Sequence, residues 1–371
     1  MPEPWPLSVA GVAVWPLRIP LKVPLHLASE TITHAETLLI EVRDAQGRSG
    51  WGEASAAPTM TGEVLPGMAE VARRYLAPAL MGGALADIAA IAPRLARAIR
   101  GNTGAKAAAE MAVLDLAARR AGLPLSAVLG VPLRDSVPAI AMIGGATDAI
   151  VLDAALAAQA RGFRHIKVKL GLRADPLDDA ALVRHLRAAL GPDAHLSGDA
   201  NMAWGVEAAL AFLAALPEGT LDYLEQPLAD DDLAGLAKVV AGTSCPICID
   251  EGLHGLRDIP AHRGLAAGFG LKAIKLGGLL PTLAADALVR DCGMRSTLAC
   301  KIAETSVGAA AAAHLAALLP DVGWGVSVTH GMLTDDVTDS GVVLREGQVL
   351  LPAGPGLGVV PDAARLVQFR G

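Results

Sequence analysis

The sequence predicts an α/β fold, a (β/α)-barrel of seven or eight parallel strands preceded by a separate α+β segment. Three observations point to it. From about residue 135 a short β-rich segment and an Ala/Leu-rich amphipathic helix alternate, at a repeat of roughly 25 residues. Three of those β-rich segments end in an acid at the same phase of the repeat. Residues 1–134 read differently, as a hairpin followed by helices.

In the N-terminal part, "LLIEVRDAQGRSGWGEAS" reads as a hairpin with a turn near Gln46-Gly47. Helical patterns follow, among them "AKAAAEMAVLDLAARRAGLP". The barrel strand candidates are "VPAIAMIG", "HIKVKLG", "HLSGDAN", "LDYLEQP", "CPICIDE", "LKAIKLGG", "RSTLACK" and "WGVSV". Parallel strands joined by helices at this spacing close into a barrel. An open doubly wound sheet is the rival, but "IGGATDA" fits the GxGxxG fingerprint poorly. The tail from about residue 330 returns to short strands and turns, and is expected to pack back onto the N-terminal segment. The domains are therefore placed at 1–134, completed by about 330–371, and at 135–329.

The 371 residues are 53% apolar and 19% charged, as in a well-packed chain and not a disordered one. A net charge of −7 offers no electrostatic case for nucleic acid or an anionic membrane surface as partner. "VGAAAAAHLAALLP" is too short to span a bilayer and carries His314, so it is expected as a packed core helix. "MPEPWPLSVA" has neither the basic nor the apolar region of a signal peptide. Cys245 and Cys248 form a CxxC, but inside an apparent strand and with no second Cys or His pair nearby, so they are taken as structural. A cytoplasmic location is the expectation.

The acids at the strand ends are Asp199, Glu225 and Asp250, 26 and 25 residues apart. At the C-terminal rim of consecutive barrel strands they converge, and three such charges repel one another without a cation. Oxygen ligands select a hard ion, Mg²⁺ first, with Mn²⁺ as the alternative. Asn201, Gln226 and Glu251 follow these acids closely and are expected to bond behind them. Lys167 and Lys169 point the same way from their strand, and Lys272 and Lys275 belong to the strand candidate after Asp250. Across a barrel the two groups oppose each other. An amine beside another ammonium and a divalent cation has its pKa lowered and serves as a base near neutral pH.

In these residues the sequence resembles the enolase superfamily, and within it the muconate lactonizing enzyme subgroup. The likeness rests on "KVK" at 167–169, "DAN" at 199–201, "EQP" at 225–227, "DE" at 250–251, "LKAIKLGG" at 271–278 and "AETSVGAAAAAHLAA" at 303–317. In the N-terminal part "GWGEAS", "TMTGE" and "AEMAVLDLAAR" match the subgroup's capping domain. The resemblance implies a modified (β/α)7β barrel of the TIM type closed by an α+β N-terminal capping domain. It implies Mg²⁺ held by Asp199, Glu225 and Asp250, and Lys169 and Lys272 as acid/base groups on opposite faces of a small carboxylate substrate. Lys272 is preferred to Lys275 because it lies five residues before the first glycine of the GG pair, as the catalytic lysine of the family it resembles does. Removal of the proton α to the carboxylate then gives an ene-diolate, with Lys167 adding positive charge beside it. The resemblance also implies a homo-oligomer.

Two departures bear on substrate. The last strand, "WGVSVTH", lacks the Asp-x-Asp with which dipeptide epimerases of the subgroup hold an ammonium group. Lys301 stands where relatives usually have a small residue, close to Glu304. Facing the pocket, Lys301 holds a second, distal anionic group; facing outward, it is a solvated loop residue. Segments 21–33 and 57–63 are the expected lids, with His26, Thr59 and Met60 as substrate contacts. Three functions stay open at this point. One is a cycloisomerase acting on a muconate-like dicarboxylate. A second is an N-acyl (N-succinyl) amino acid racemase or epimerase, or an o-succinylbenzoate synthase-like enzyme. The third is a non-catalytic, crystallin-like or binding descendant.

Overall fold

The computed structural model describes residues 3–26 and 31–371, so residues 27–30 of the expected 21–33 lid lie outside the described residues. In chain order the strands are β1 (Gly11–His26), β2 (Thr31–Arg43), β3 (Ser49–Ser55), β4 (Ser136–Pro138), β5 (Ile140–Ile143), β6 (His165–Lys169) and β7 (His195–Asp199). They continue as β8 (Tyr223–Glu225), β9 (Ile247–Ile249), β10 (Gly268–Leu271), β11 (Arg295–Ala299), β12 (Val326–Ser327), β13 (Leu344–Arg345) and β14 (Gln348–Leu350).

β1, β2 and β3 form an antiparallel sheet, the floor of the cap. Its tighter turn forms where the sequence places it. Asp44 accepts the amides of Gln46 and Arg48, each at 3.0 Å, and Gly47 takes φ 79°. Helix Thr103–Ala121 lies directly on β3. The approach is close enough that a Cβ at Gly52 would stand 2.9 Å from that of Met111. That is why "GWG" reads small on one face.

β5 to β12 form one parallel eight-stranded sheet in sequence order, and a bridge from Ala139 to Val326 brings its ends together as a barrel. Outward side chains such as Ile166, Val168 and Leu196 are buried under the helices. The lysines and acids of the same strands point inward and upward to the C-terminal rim.

Two expected strands are drawn differently by the structure. "VPAIAMIG" divides at Ala139. β4 pairs antiparallel with β14 of the tail, and only β5 enters the barrel. Pro138 has no amide to give a ladder, which suits the break there. "LKAIKLGG" is not a strand beyond Leu271. β10 is "GFGL", and Ala273–Leu276 make a helical turn closed by Gly277 at φ 90°. Gly268 and Gly270 weaken the strand signal, yet Gly268 has no room for a side chain because the Trp324 ring occupies it. Lys272 thus sits one residue past the strand and Lys275 lies in the turn.

The tail meets both halves. β14 joins β4, and the amide of Arg18 in β1 donates to Phe369 at 2.8 Å. The alanine-rich helix Ser306–Ala316 is buried along its length, with His314 bonded to the Leu357 carbonyl at 3.2 Å. Cys245 and Cys248 are free thiols beside and within β9, and burial pushes Cys245 up to about 12. Among the described residues, no helix is long and apolar enough to cross a membrane.

Candidate active site

A cavity of about 560 Å³ opens at the C-terminal ends of the barrel strands. Lys167 and Lys169 reach it from β6, Asp199 from the last position of β7, Glu225 from the last position of β8, and Asp250 from just beyond β9. Registration fixes the neighbours, with Lys169 paired to Asp199 and Asp199 paired to Glu225. Lys272 enters from the end of β10. Since β6 and β10 stand four places apart around eight strands, Lys169 and Lys272 face each other across the three acids.

Every one of these groups is buried, and every acid has an amine. Lys169 donates to Asp199 at 2.6 Å and to Asn201 at 2.9 Å. Lys167 is bonded to Glu225 and Lys272 to Asp250. Lys275 is not a cavity residue. Its Nζ is bonded to the Asp250 carboxylate at 2.7 Å, the Asp250 carbonyl at 2.6 Å and the Gly270 carbonyl at 2.8 Å. Asn201, at φ 43°, also donates to Glu251 at 3.0 Å. Gln226 accepts the amides of Asp250 and Gly252, at 3.0 and 3.1 Å, and so shapes the turn that carries Asp250.

The acids dominate the electrostatics of Lys167 and Lys272. Burial pulls Lys272 down, but Asp250, Glu251 and Glu225 outweigh it and the net shift is upward. Lys167 is raised well above its ordinary value, because Glu225 and its neighbours overcome burial. Lys275 alone of the three is lowered, by burial and by Lys272. The cause is that these ammonium groups serve as counter-ions to the acids. Burial raises Glu225, and Asp199 and Asp250 push it further, so the three carboxylates feel one another. Burial and then Asp250 and Asp199 lift Glu251 to about 7, and its Oε2 is a buried oxygen without a partner.

This donor set fits a hard divalent cation. It offers three acids on three consecutive strands, oxygen only, mutually repelling, with a spare buried carboxylate oxygen next to them. Among the described residues no three acids are gathered tightly enough to grip an ion as they stand, because each is drawn to an ammonium group.

Lys301, Thr59 and Met60 line the cavity, as do Asn201 and Glu251. His26 does not; it is exposed at the end of β1 and bonded to Thr31 at 3.0 Å. Glu304 lies behind the wall, in a smaller cavity between cap and barrel, where it accepts the Ser55 amide at 3.3 Å. Gln226 also stays behind the wall. Met142, Ala299, Cys300, Ile302 and Ser327, none of them a charged strand-end residue, complete the lining. Met142 pairs with Lys167, and Ala299 with Ser327, so the strand-end rule applied to uncharged residues finds them.

Comparison with known proteins gives the family. Residues 9–130 match the mandelate racemase / muconate lactonizing enzyme N-terminal domain, and residues 150–365 the enolase C-terminal domain-like family. Muconate cycloisomerase 1 of Rhodococcus opacus is 32% identical over 95% of this chain and 96% of its own. L-Ala-D/L-Glu epimerase of Bacillus subtilis (strain 168) is 31% identical over 94% and 95%. The crystal structure of muconate lactonizing enzyme from Pseudomonas fluorescens complexed with muconolactone superposes with a TM-score of 0.93 at 30% identity, covering 98% of this chain and 99% of that one. The chain is therefore a member of the enolase superfamily, an enzyme of its muconate-lactonizing-enzyme-like subgroup.

Proposed function

We propose that the protein is a Mg²⁺-dependent cycloisomerase-like enzyme that moves the proton α to a carboxylate of a small dicarboxylate, muconate being the model substrate. The observation that carries this reading is the opposition of Lys169 and Lys272 across one cavity, with Asp199, Glu225 and Asp250 between them. Those three acids would hold the ion. When bound, it supplies the positive charge that favours an ene-diolate over the parent acid.

The chain's own residues do the remaining work. Lys169 exchanges the α-proton on one face, oriented by Asp199 and Asn201. Lys272 stands on the other face as an ammonium partner to the developing charge. Lys167, fixed on Glu225, adds positive charge on the side of Lys169. Burial of all three excludes water from the reacting carbon.

Lys301 lines the same cavity and supports a second carboxylate on the substrate. At the last barrel strand the cavity meets Ser327 and no acid, which disfavours a substrate with a free ammonium group. Racemisation of an N-acyl amino acid is the second reading, favoured by the two opposed lysines, since such a pair can serve either face. The same residues argue against a non-catalytic role. A cytoplasmic homo-oligomer completes the reading.

Incubation with Mg²⁺ in D₂O separates the chemistries. Lactone formation from muconate supports the first reading. Deuterium at Cα with loss of optical purity of an N-succinyl amino acid supports the second. Absence of Mg²⁺-dependent turnover or exchange with any carboxylic acid overturns both.

A further inference from the structure

We infer that Glu110, a residue of the cap outside the cavity lining, is a positioning residue for Lys272. The inference rests on the assignment of Lys272 to the proton-transfer site.

Glu110 lies on helix Thr103–Ala121 and is completely buried. Its Oε2 accepts the amide of Leu279, in a short hydrogen bond, and that of Leu280 at 3.4 Å. These are the first two residues of the barrel helix Leu279–Asp291. A cap carboxyl thus satisfies the orphan donors at the start of a barrel helix. Gly278 makes room for it. A Cβ there would come within 2.7 Å of Oε1, and its φ of 150° suits glycine alone.

From Leu279 back to Lys272 the chain has no slack. The amides of Gly277 and Gly278 both bond the Ala273 carbonyl, at 2.9 and 3.1 Å, and the Lys275 amide bonds the Lys272 carbonyl at 3.1 Å. Thr282 ties the Gly278 carbonyl at 2.7 Å. Lys275, through its carbonyl contacts at Asp250 and Gly270, fastens the same turn to the barrel rim. The turn is therefore held at two points, one within the barrel and one in the cap. Removing the second lets the backbone of Lys272 shift, and a displacement of about 1 Å at a reacting group can lower turnover about 10²-fold. Burial lifts the Glu110 carboxyl to about 8, against the pull of the Leu279 and Leu280 amides, so at neutral pH a carboxamide reproduces its charge and shape.

The test compares Glu110→Leu, Glu110→Gln and Gly278→Ala with Lys272→Ala and Lys169→Ala, with muconate and Mg²⁺ as probe. Glu110→Leu is expected to lower kcat at least about 10-fold with KM within about twofold, and Glu110→Gln to restore most of it. Gly278→Ala, which pushes on the same contact with Glu110 intact, is expected to resemble Glu110→Leu. A folded Glu110→Leu with wild-type kcat overturns the inference, and so does a Gln variant as slow as the Leu variant. Should Glu110→Leu fail to fold, an unchanged kcat in Gly278→Ala overturns it. Loss of turnover in Lys272→Ala together with normal turnover in the Glu110 variants defeats the positioning role alone. Normal turnover in Lys272→Ala defeats the reading of the site beneath it.

Discussion

Lys169 and Asp199 are register partners on the adjacent parallel strands β6 and β7, and their charged ends meet at 2.6 Å inside the barrel. Both are buried, so the pair shields two charges that would each be expensive alone. Lys169→Ala is therefore expected to do two separable things. Solvent exchange of the α-proton should fall at least about 10²-fold, since a positioned general base contributes about 10²–10⁴. The metal-free protein should also lose about 3 kcal/mol, because Asp199 is left buried without its amine. Calorimetry in EDTA together with deuterium incorporation checks both, and wild-type exchange in the variant sinks the proposed role.

A second expectation concerns the ion itself. The acids are bonded to Lys167, Lys169 and Lys272. Added Mg²⁺ is expected to stabilise the fold by about 2.7 kcal/mol at a concentration 100 times its Kd. A thermal shift of several degrees is a convenient readout. Glu225→Gln should abolish the shift, as Glu225 stands between the other two acids and feels both. A shift of equal size in that variant removes Glu225 from the ligand set.

We propose that Lys301 sets specificity. It reaches the main cavity and also borders a second cavity under the cap sheet, shared with Ile302. Lys301→Met keeps the length of the side chain and removes its charge. KM for a dicarboxylate is expected to rise about 10- to 100-fold, corresponding to the roughly 1.5–3 kcal/mol of a hydrogen bond to a charged group. KM for a matched monocarboxylate should change little. Equal effects on the two substrates would place Lys301 outside specificity.

The residues that announce themselves in the sequence do so because period and charge coincide. Asp199, Glu225 and Asp250 recur with the βα repeat, and Lys167 and Lys169 share a strand face, so the rim is legible without coordinates. Lys272 was legible by its distance from the glycine pair, though its local structure was not. "GFGL" hides a strand, and the apolar spacing of "LKAIKLGG" suits the helical turn it forms as well as a strand. The cap's contribution was opaque. Glu53 of "GWGEAS" accepts from Thr37, Thr305 and Gly308, and Glu110 from Leu279 and Leu280. Thr37 aside, these partners lie more than 160 residues away and leave no local pattern, and a buried acid inside an alanine-rich helix looks like a solvated one. His26 shows the converse. A histidine in a loop invites a binding role, while the fold leaves it outside the cavity.

Glu304 offers the last test, through pH. It is buried beside the buried Glu53, and burial followed by repulsion from Glu53 lifts it from an ordinary 4.5 to about 8. The folded state thus holds a proton that the unfolded chain releases at much lower pH. Between these two values the native state binds more protons than the unfolded state, so stability falls as pH rises. The contribution is fully present below about pH 4.5 and is lost as pH climbs through about 8. The wild type should be less stable at pH 9 than at pH 5 by about 2–4 kcal/mol from this group, allowing for its sharing of the proton with Glu53. Glu304→Gln cannot ionise and should flatten that limb, gaining on the wild type at pH 9 and matching it near pH 5. Urea titrations at both pH values measure the difference. A variant whose stability declines with pH as steeply as the wild type would show that Glu304 is ionised throughout, and would move the buried proton to Glu53.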